Sequence, residues 1–176
     1  SKDDISEEEK MVINTVEACS DMSLKKIGAL IVFERKDTLT DIIKNGTSLD
    51  AAYSNELVQN IFYPKAPLHD GAMIAKNGKI VAAGCVLPLS QNRTLSRELG
   101  TRHRAAVGMS EESDAVCVVV SEETGSISVA VGGILKRHLA PETLEKLLKK
   151  ELLPEENTGT GKGVFAKWKV KNKWLG

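Results

Sequence analysis

The sequence predicts a mixed α/β fold, of the α+β kind, in which helices flank a central sheet that is mostly antiparallel or mixed. Residues 27–33 form a continuous apolar run rich in β-branched side chains, which is typical of a buried central strand. Asn77-Gly78 separates two apolar segments and is the dipeptide best suited to the type I′ turn of a hairpin. Amphipathic helical patterns stand near both ends of the chain and predict helices that cover the sheet.

The first part of the chain predicts three helices around that central strand. A capping box at Ser6 and Glu9 opens the first helix. Its apolar face consists of Met11, Val12, Val16, Cys19 and Met22. A short second helix is expected over 38–44, ended by Asn45-Gly46, and Ser54 is positioned to cap a third.

The second part predicts two hairpins and a last helix. The first hairpin pairs residues 72–76 with 79–87, and the second pairs 115–121 with 126–131. A turn at Gly132-Gly133 then leads into one more short strand. The inward stripe of the last helix consists of Leu144, Leu147, Leu148 and Leu152.

The composition fits one compact domain. At 176 residues and 41% hydrophobic, the chain is long enough for one core and short for two. We expect this domain over residues 1–153, first helix included, followed by a basic tail over 154–176. The 24 basic and 24 acidic residues balance, so no overall field attracts nucleic acid or an anionic membrane. Any phosphate binding must therefore be local.

The cysteines and the lengths of the apolar runs bear on where the chain resides. Cys19, Cys85 and Cys117 stand in apolar surroundings and fit neither a disulfide framework nor a zinc site, so we expect reduced, buried thiols in a cytosolic setting. No run reaches the roughly eighteen apolar residues of a membrane span.

In the tail, Trp168 and Val170 alternate with lysines. This favours a solvated tail or an edge strand with both side chains inward, and contact with nucleic acid or a membrane surface is the alternative.

Residues 67–72 (PLHDGA) combine a potential metal ligand, a carboxylate and a backbone position without a side chain. Asp70 can bind a divalent cation or take the proton of an attacking hydroxyl, and Gly71 lets a ligand approach the main chain. An Asp-Gly pair after a proline is also a turn signal, so a purely structural turn is the alternative. His69 and Asp70 can share a site only if the backbone before Gly71 is irregular, because neighbours in a regular strand face opposite sides.

Residues 100–109 (GTRHRAAVGM) predict a helix with Thr101 as its N-cap. Arg102, His103 and Arg104 would then crowd the first turn, where the helix dipole already disfavours cations. Free backbone N–H groups, a hydroxyl and two guanidinium groups make a site for phosphate oxygens. The alternative is that both arginines pair with nearby acids, for which the sequence offers Glu98, Glu111 and Glu112.

Together the two stretches resemble the motif pair of the diadenylate cyclase family, the DisA_N or DAC domain, whose members make cyclic di-AMP from ATP. The motifs are LHDGA at 68–72 and GTRHRAA at 100–106, and the resemblance extends from residue 27 to residue 130. It includes IGALIV at 27–32, LPLS at 87–90 and VSEETG at 120–125. The likeness is greatest to the membrane-anchored branch, the CdaA (DacA) type, and it implies the DAC-domain fold.

The resemblance implies a role for each motif residue. Asp70 would orient or deprotonate the attacking ribose hydroxyl, with Gly71 and Ala72 letting the sugar sit against the main chain. Residues expected to bind the ATP phosphates are Thr101, Arg102, His103, Arg104 and Ser121. Those expected to hold a divalent metal, Mg²⁺ or Mn²⁺ with Co²⁺ as a further candidate, are His69, Asp70 and Glu123. Those expected at the adenine are Cys85, Val86 and Leu87; Val86 stands where relatives often carry an aromatic residue, which favours aliphatic contact with the base.

The resemblance also implies partners and a location. ATP would be the substrate and cyclic di-AMP the product, and ring closure would need a face-to-face homodimer. A YbbR-domain regulator and phosphoglucosamine mutase are further expected partners, with no nucleic acid. The chain would be the cytoplasmic domain of a protein anchored in the bacterial plasma membrane by preceding helices. The alternative is a non-catalytic, adenine-nucleotide-binding regulatory domain; a nucleic-acid binder acting through the tail is disfavoured by the neutral net charge.

Overall fold

The computed structural model describes residues 5–155, and these form a seven-stranded mixed sheet flanked by helices. The predicted fold class is therefore confirmed. The elements in chain order are α1 (Glu7–Lys25), β1 (Ala29–Phe33), α2 (Thr40–Lys44), β2 (Thr47–Ala52), α3 (Asn55–Phe62), β3 (Ala72–Lys76), β4 (Lys79–Cys85), α4 (Thr101–Glu112), β5 (Val116–Val120), β6 (Ile127–Val131), β7 (Ile134–Lys136) and α5 (Pro141–Leu152).

The sheet has the order β2-β4-β3-β1-β5-β6-β7, with β1 in the centre. β1 and β3 run parallel, and the other neighbouring strands pair antiparallel. All residues of β1 are buried, as its continuous apolar run predicts. Helices α1, α3 and α5 contribute to the apolar core on one face of the sheet, and α2 and α4 to that on the other. The sheet is thus the middle layer of three.

The helix caps and the hairpin turn predicted from local sequence signals are present in the structure. The Ser6 hydroxyl accepts a hydrogen bond from the Glu9 amide at 3.1 Å, and Ser54 does the same for Leu57 at 3.1 Å. The turn between β3 and β4 has positive φ at both central residues, 50° at Asn77 and 77° at Gly78, as a type I′ turn requires. The hairpin of β5 and β6, the short β7 and the helix α5 are also confirmed.

Three features differ from the prediction. Strand β2 was not predicted; it lies at the edge of the sheet, none of its residues is buried, and its register shifts between Ser48 and Ala51. β4 ends at Cys85 rather than at Leu87. The predicted N-cap was wrong by one position: Gly100 precedes α4 and Thr101 is its first residue, so no side chain caps this helix. The N–H groups at the start of α4 therefore lack a capping side chain.

The three cysteines are free and buried, as predicted. Within residues 5–155, none of the helices is long and apolar enough to cross a membrane. The tail strand expected around Trp168 and Val170 lies outside the described residues.

Candidate active site

The backbone between α3 and β3 is irregular, and this irregularity brings two predicted site residues together. Gly71 has a φ of 91°, and a Cβ there would lie 2.7 Å from the Cys85 carbonyl oxygen on β4. Only glycine fits such a position without displacing the neighbouring strand. His69 and Asp70 precede β3 and lie side by side, with His69 Nε2 and Asp70 Oδ1 3.4 Å apart. The geometric condition for a shared site is therefore met.

The start of α4 is held against the same end of the sheet by close backbone contacts. The Ser90 amide donates a hydrogen bond to the Arg104 carbonyl oxygen at 3.0 Å. A Cβ at Gly108, further along α4, would lie 2.8 Å from the Ser90 nitrogen, so the helix and the loop after β4 pack directly on each other. A Cβ at Gly28 would lie 2.6 Å from Arg102 Cζ. The Arg102 guanidinium thus rests on the bare backbone before β1.

These segments surround a cavity of about 740 Å³, a size suited to a small-molecule ligand. The predicted site residues that line it are His69, Asp70, Gly71, Cys85, Val86, Leu87, Thr101, Arg102, His103, Ser121 and Glu123. The metal, phosphate and adenine candidates therefore face one space, although they come from segments distant in sequence.

Two predicted site residues do not line the cavity. Ala72 is fully buried in β3, where it pairs with Cys85. Arg104 follows His103 on α4, and its side chain is absent from the cavity lining. The roles assigned to Ala72 and Arg104 stay predictions, and Ala72 would act through the main chain only.

Arg102 has an acidic partner, but not one of the three that the sequence suggested. Its Nη1 lies 3.5 Å from Glu122 Oε1. Glu122 lines the same cavity, and 65% of its side chain is exposed. An exposed ion pair of this kind is weak, so a phosphate that enters the cavity can replace the Glu122 carboxylate as the partner of Arg102.

The turn that carries Glu122 and Glu123 is fixed by hydrogen bonds. Ser121 Oγ accepts from the amides of Glu123 at 3.2 Å and Thr124 at 3.3 Å, and the Gly125 amide donates to the Ser121 carbonyl oxygen at 2.9 Å. The Ser23 hydroxyl on α1 donates to the Gly125 carbonyl oxygen at 2.5 Å. Both acidic residues therefore extend from a defined turn at the edge of the cavity.

His69 is oriented by the main chain. Its Nδ1 lies 2.7 Å from the Ala66 carbonyl oxygen, which can only accept, so the neutral ring carries its proton on Nδ1. Nε2 is then left with a lone pair beside Asp70 Oδ1, and a cation between these two acceptors would bind both. Within residues 5–155, there is no group of three or more His, Cys, Asp or Glu side chains that could hold a metal ion by itself. A cation held here would take its remaining ligands from substrate oxygens and water; the carboxylate suits Mg²⁺ or Mn²⁺, whereas the imidazole nitrogen is a donor that transition metals accept more readily than Mg²⁺.

His103 is buried at 8% exposure, within the electrostatic influence of Arg102 and Arg137. Burial lowers the pKa of its imidazole, and the charges of Arg137 and Arg102 lower it further. At neutral pH the ring is therefore uncharged, and it can donate one hydrogen bond and accept another.

We predict that His103 titrates below its ordinary pKa of 6.5 in the protein without nucleotide, measured by NMR on the ring C–H groups. Because the unfolded chain binds this proton more tightly, the folded state should lose stability as the pH falls below 6.5 and lose none above neutrality. His103→Gln should flatten this dependence in urea unfolding measured across the same pH range. Titration of His103 above 6.5 would contradict the assignment.

Several cavity residues were missed by the sequence reasoning. Among them are Ser126 and Arg137. Arg137 follows β7, where His138 has a φ of 58° and its Nδ1 lies 2.9 Å from Ser126 Oγ. No local motif marks this arginine, since its place in the cavity depends on how β7 pairs with β6.

An apolar wall, an acidic edge and a helix start that can receive anions, all on one cavity, are typical of a nucleotide-binding domain. Residues 16–135 match the model of the DAC family, described as "DisA bacterial checkpoint controller nucleotide-binding". The chain belongs to this family, and the resemblance read from its motifs is confirmed.

The relatives agree with this assignment. Cyclic di-AMP synthase CdaA of Bacillus subtilis is 49% identical over 144 residues, which cover 82% of this chain and 53% of the relative. A diadenylate cyclase of Listeria monocytogenes is 46% identical over 166 residues, covering 94% of this chain and 60% of the relative. The chain thus spans little more than half the length of these curated relatives.

Solved structures give the same fold. A double mutant of DacA from Staphylococcus aureus matches with a TM-score of 0.82 and 49% identity, covering 88% of this chain and all of that one. A hypothetical membrane spanning protein from Bacillus cereus matches with a TM-score of 0.68 and 51% identity, covering 70% of this chain and 60% of that one.

Proposed function

We propose that this chain is a diadenylate cyclase that condenses two ATP molecules into cyclic di-AMP and two pyrophosphates. The observation that carries the proposal is the single cavity shared by His69, Asp70 and the uncapped, basic start of α4. The names of the relatives, cyclic di-AMP synthase and diadenylate cyclase, support the same reaction. Nucleotidyl transfer needs an oriented hydroxyl and groups that stabilise the negative charge of the leaving pyrophosphate. Asp70 can supply the first and the start of α4 the second.

Asp70 orients the 3′-hydroxyl of one ATP and takes its proton as the oxygen attacks the α-phosphorus of the other. The new O3′–P bond forms while the bond from the α-phosphorus to the pyrophosphate oxygen breaks in line. Thr101 and Arg102 receive the phosphates at the start of α4, where backbone N–H groups and the guanidinium offset the charge of the departing pyrophosphate. His103 donates or accepts a hydrogen bond there as a neutral ring.

A divalent cation, Mg²⁺ or Mn²⁺ with Co²⁺ as a further candidate, would be held by His69 Nε2 and Asp70, with Glu123 on the same cavity wall. When bound it would lower the pKa of the attacking hydroxyl and offset phosphate charge. The protein supplies few ligands of its own, so affinity for the cation should rise when ATP is present.

The base would lie against Cys85, Val86 and Leu87. Val86 is exposed over 69% of its surface although it is apolar, which suits a residue that is covered by a ligand. Its branched side chain offers aliphatic contact instead of aromatic stacking.

Turnover requires a second copy of the chain. One cavity presents one ATP, and each ring bond joins the hydroxyl of one nucleotide to the phosphorus of the other. Two cavities related by a two-fold axis and facing each other satisfy this symmetry. We propose such a homodimer for the active state.

The rest of the organisation follows the family resemblance. We propose a catalytic domain over residues 1–153 and a basic tail over 154–176, with the domain in the cytoplasm and preceding helices anchoring the longer protein in the bacterial plasma membrane. The Bacillus cereus structure is described as that of a hypothetical membrane spanning protein, which supports the anchor. A YbbR-domain regulator and phosphoglucosamine mutase are the proposed protein partners.

The function is tested by incubating the chain with ATP and Mg²⁺ or Mn²⁺ and separating the products by chromatography. A cyclase yields cyclic di-AMP and pyrophosphate. Recovery of unchanged ATP at protein concentrations that favour dimers, together with measurable ATP binding, would contradict the proposal and support a regulatory nucleotide-binding domain instead.

Arg102→Ala is expected to weaken ATP binding about 10- to 100-fold, because charge-assisted hydrogen bonds to phosphate are lost. Isothermal titration with a non-reactive ATP analogue measures this loss. Lys79→Ala is a matched control, since it also removes one positive charge but from an exposed pair with Asp50 outside the cavity. Equal affinities of the two variants would show that Arg102 does not bind the phosphates.

A further inference from the structure

The main chain of Val86 is held from the side by a single amide side chain. Asn45 Nδ2 donates to the Val86 carbonyl oxygen at 3.0 Å, and the Val86 amide donates to Asn45 Oδ1 at 2.8 Å. Both polar groups of one backbone residue are thus paired with one side chain, 41 positions away in sequence.

This pairing continues the sheet beyond the end of its strands. β2 and β4 pair from Thr47 opposite Ala83, and β4 ends at Cys85. The Asn45 amide offers one donor and one acceptor, the same groups that a strand residue would offer to Val86. It therefore continues the hydrogen bonding of β4 by one residue beyond Cys85, past the point where β2 pairs with β4.

The support behind Asn45 is closely packed. Asn45 follows the last residue of α2, and its backbone N–H donates to the Ile42 carbonyl oxygen at 3.2 Å. At Gly46 a Cβ would lie 2.6 Å from the Ala83 carbonyl oxygen and 3.2 Å from the Cys85 nitrogen, so the chain after α2 lies directly on β4. Ile42 itself packs on the core. The backbone of Asn45 is thus fixed, and its side-chain amide reaches the main chain of Val86.

The segment held in this way is the apolar wall of the cavity. Cys85 and Leu87 are buried on either side of Val86, and all three line the cavity. The Val86 N–H is taken up by Asn45, and its C=O already accepts one hydrogen bond and keeps a second lone pair, so this residue offers a ligand mainly its side chain.

We infer that Asn45 is a positioning residue for nucleobase binding, which holds residues 85–87 extended so that Val86 covers one face of the base. The inference rests on the proposed function. The Val86 side chain would contact the base and not the attacking hydroxyl or the reacting phosphorus, so this contact contributes equally to the ground state and the transition state. Loss of the Asn45 side-chain amide should therefore raise KM for ATP and leave kcat nearly unchanged.

The test uses two variants of Asn45 and two ligands. Asn45→Asp keeps the acceptor for the Val86 amide but places a carboxylate oxygen against the Val86 carbonyl oxygen, and Asn45→Ala removes both bonds without adding charge. Each variant is titrated with ATP and with inorganic tripolyphosphate, which has no base. We expect ATP affinity to fall about tenfold in both variants and tripolyphosphate affinity to stay at the parent value.

Asn60→Asp is the matched control, because Asn60 is also exposed and its Nδ2 donates to a main-chain oxygen, that of Glu56, at 3.2 Å within α3. It should bind both ligands as the parent does. Unchanged ATP affinity in Asn45→Ala would overturn the inference. An equal loss of affinity for ATP and tripolyphosphate that appears only in Asn45→Asp would also overturn it, because the effect would then come from the added charge. A parent chain that binds ATP without converting it would contradict the proposed cyclase and still decide the role of Asn45; a parent that does not bind ATP would overturn both.

Discussion

Asp70→Asn is expected to lower the rate of cyclic di-AMP formation by about 100- to 10,000-fold, the range typical for the loss of a general base. The amide has nearly the same shape as the carboxylate, but it cannot take the proton of the attacking hydroxyl and is a poor ligand for a divalent cation. Initial rates of product formation, followed by chromatography at saturating ATP and metal, measure the effect.

The same substitution should leave most of the ATP affinity intact. The Asp70 side chain is 88% exposed at the edge of the cavity, whereas the phosphate-binding groups at the start of α4 and the apolar wall are unchanged. Titration with a non-reactive ATP analogue separates binding from chemistry, and a loss in kcat without a comparable loss in affinity identifies a group that acts in the transition state.

Asp50→Asn is the matched control for this experiment. Asp50 is also an exposed aspartate, with 77% of its side chain exposed, and it pairs with Lys79 at the edge of the sheet. Removal of its charge should change the rate little. If Asp70→Asn and Asp50→Asn were equally active, the carboxylate at position 70 would have no part in the reaction.

The parts of the fold that were predicted are those whose signals are local. A burial pattern repeats within one helix or strand, and caps and turns depend on residues at most a few positions apart, as at Ser6, Ser54 and Asn77-Gly78. β2 was missed because an edge strand has little burial to impose an alternating pattern, and its stability comes from pairing with β4. The start of α4 was misplaced because a threonine beside a glycine satisfies the same sequence rule as a capping residue.

The residues of the candidate site also fall into two groups, those that stand in local motifs and those that only tertiary contacts bring to the site. Asp70 and Arg102 stand in short motifs whose chemistry is legible in sequence, and both line the cavity. Asn45 and Arg137 reach the site only through tertiary contacts: Asn45 acts across 41 positions on Val86, and Arg137 enters the cavity through the pairing of β7. Residues that support a site in this way carry no local pattern, so coordinates are needed to find them.

Gly71→Ala is expected to impair both stability and activity. At φ 91° an alanine is strained, and its Cβ would meet the backbone of β4, at 2.7 Å from the Cys85 carbonyl oxygen and 3.0 Å from the Gly84 carbonyl carbon. These atoms belong to the sheet and cannot rotate away. The start of β3 must therefore shift, at a cost of about 2–4 kcal/mol, which corresponds to a Tm lower by roughly 5–15 °C.

The shift at Gly71 should also reach the chemistry, because His69 and Asp70 immediately precede it and their shared geometry depends on this backbone. Gly132→Ala isolates the effect of φ, since Gly132 has a φ of 58° but nothing within 4 Å of an added Cβ. It should cost about 1 kcal/mol and leave the rate unchanged. Thermal unfolding and product formation, measured on both variants, decide the matter: if Gly71→Ala lost no more stability than Gly132→Ala and kept its rate, close contact at Gly71 would not be what shapes the site.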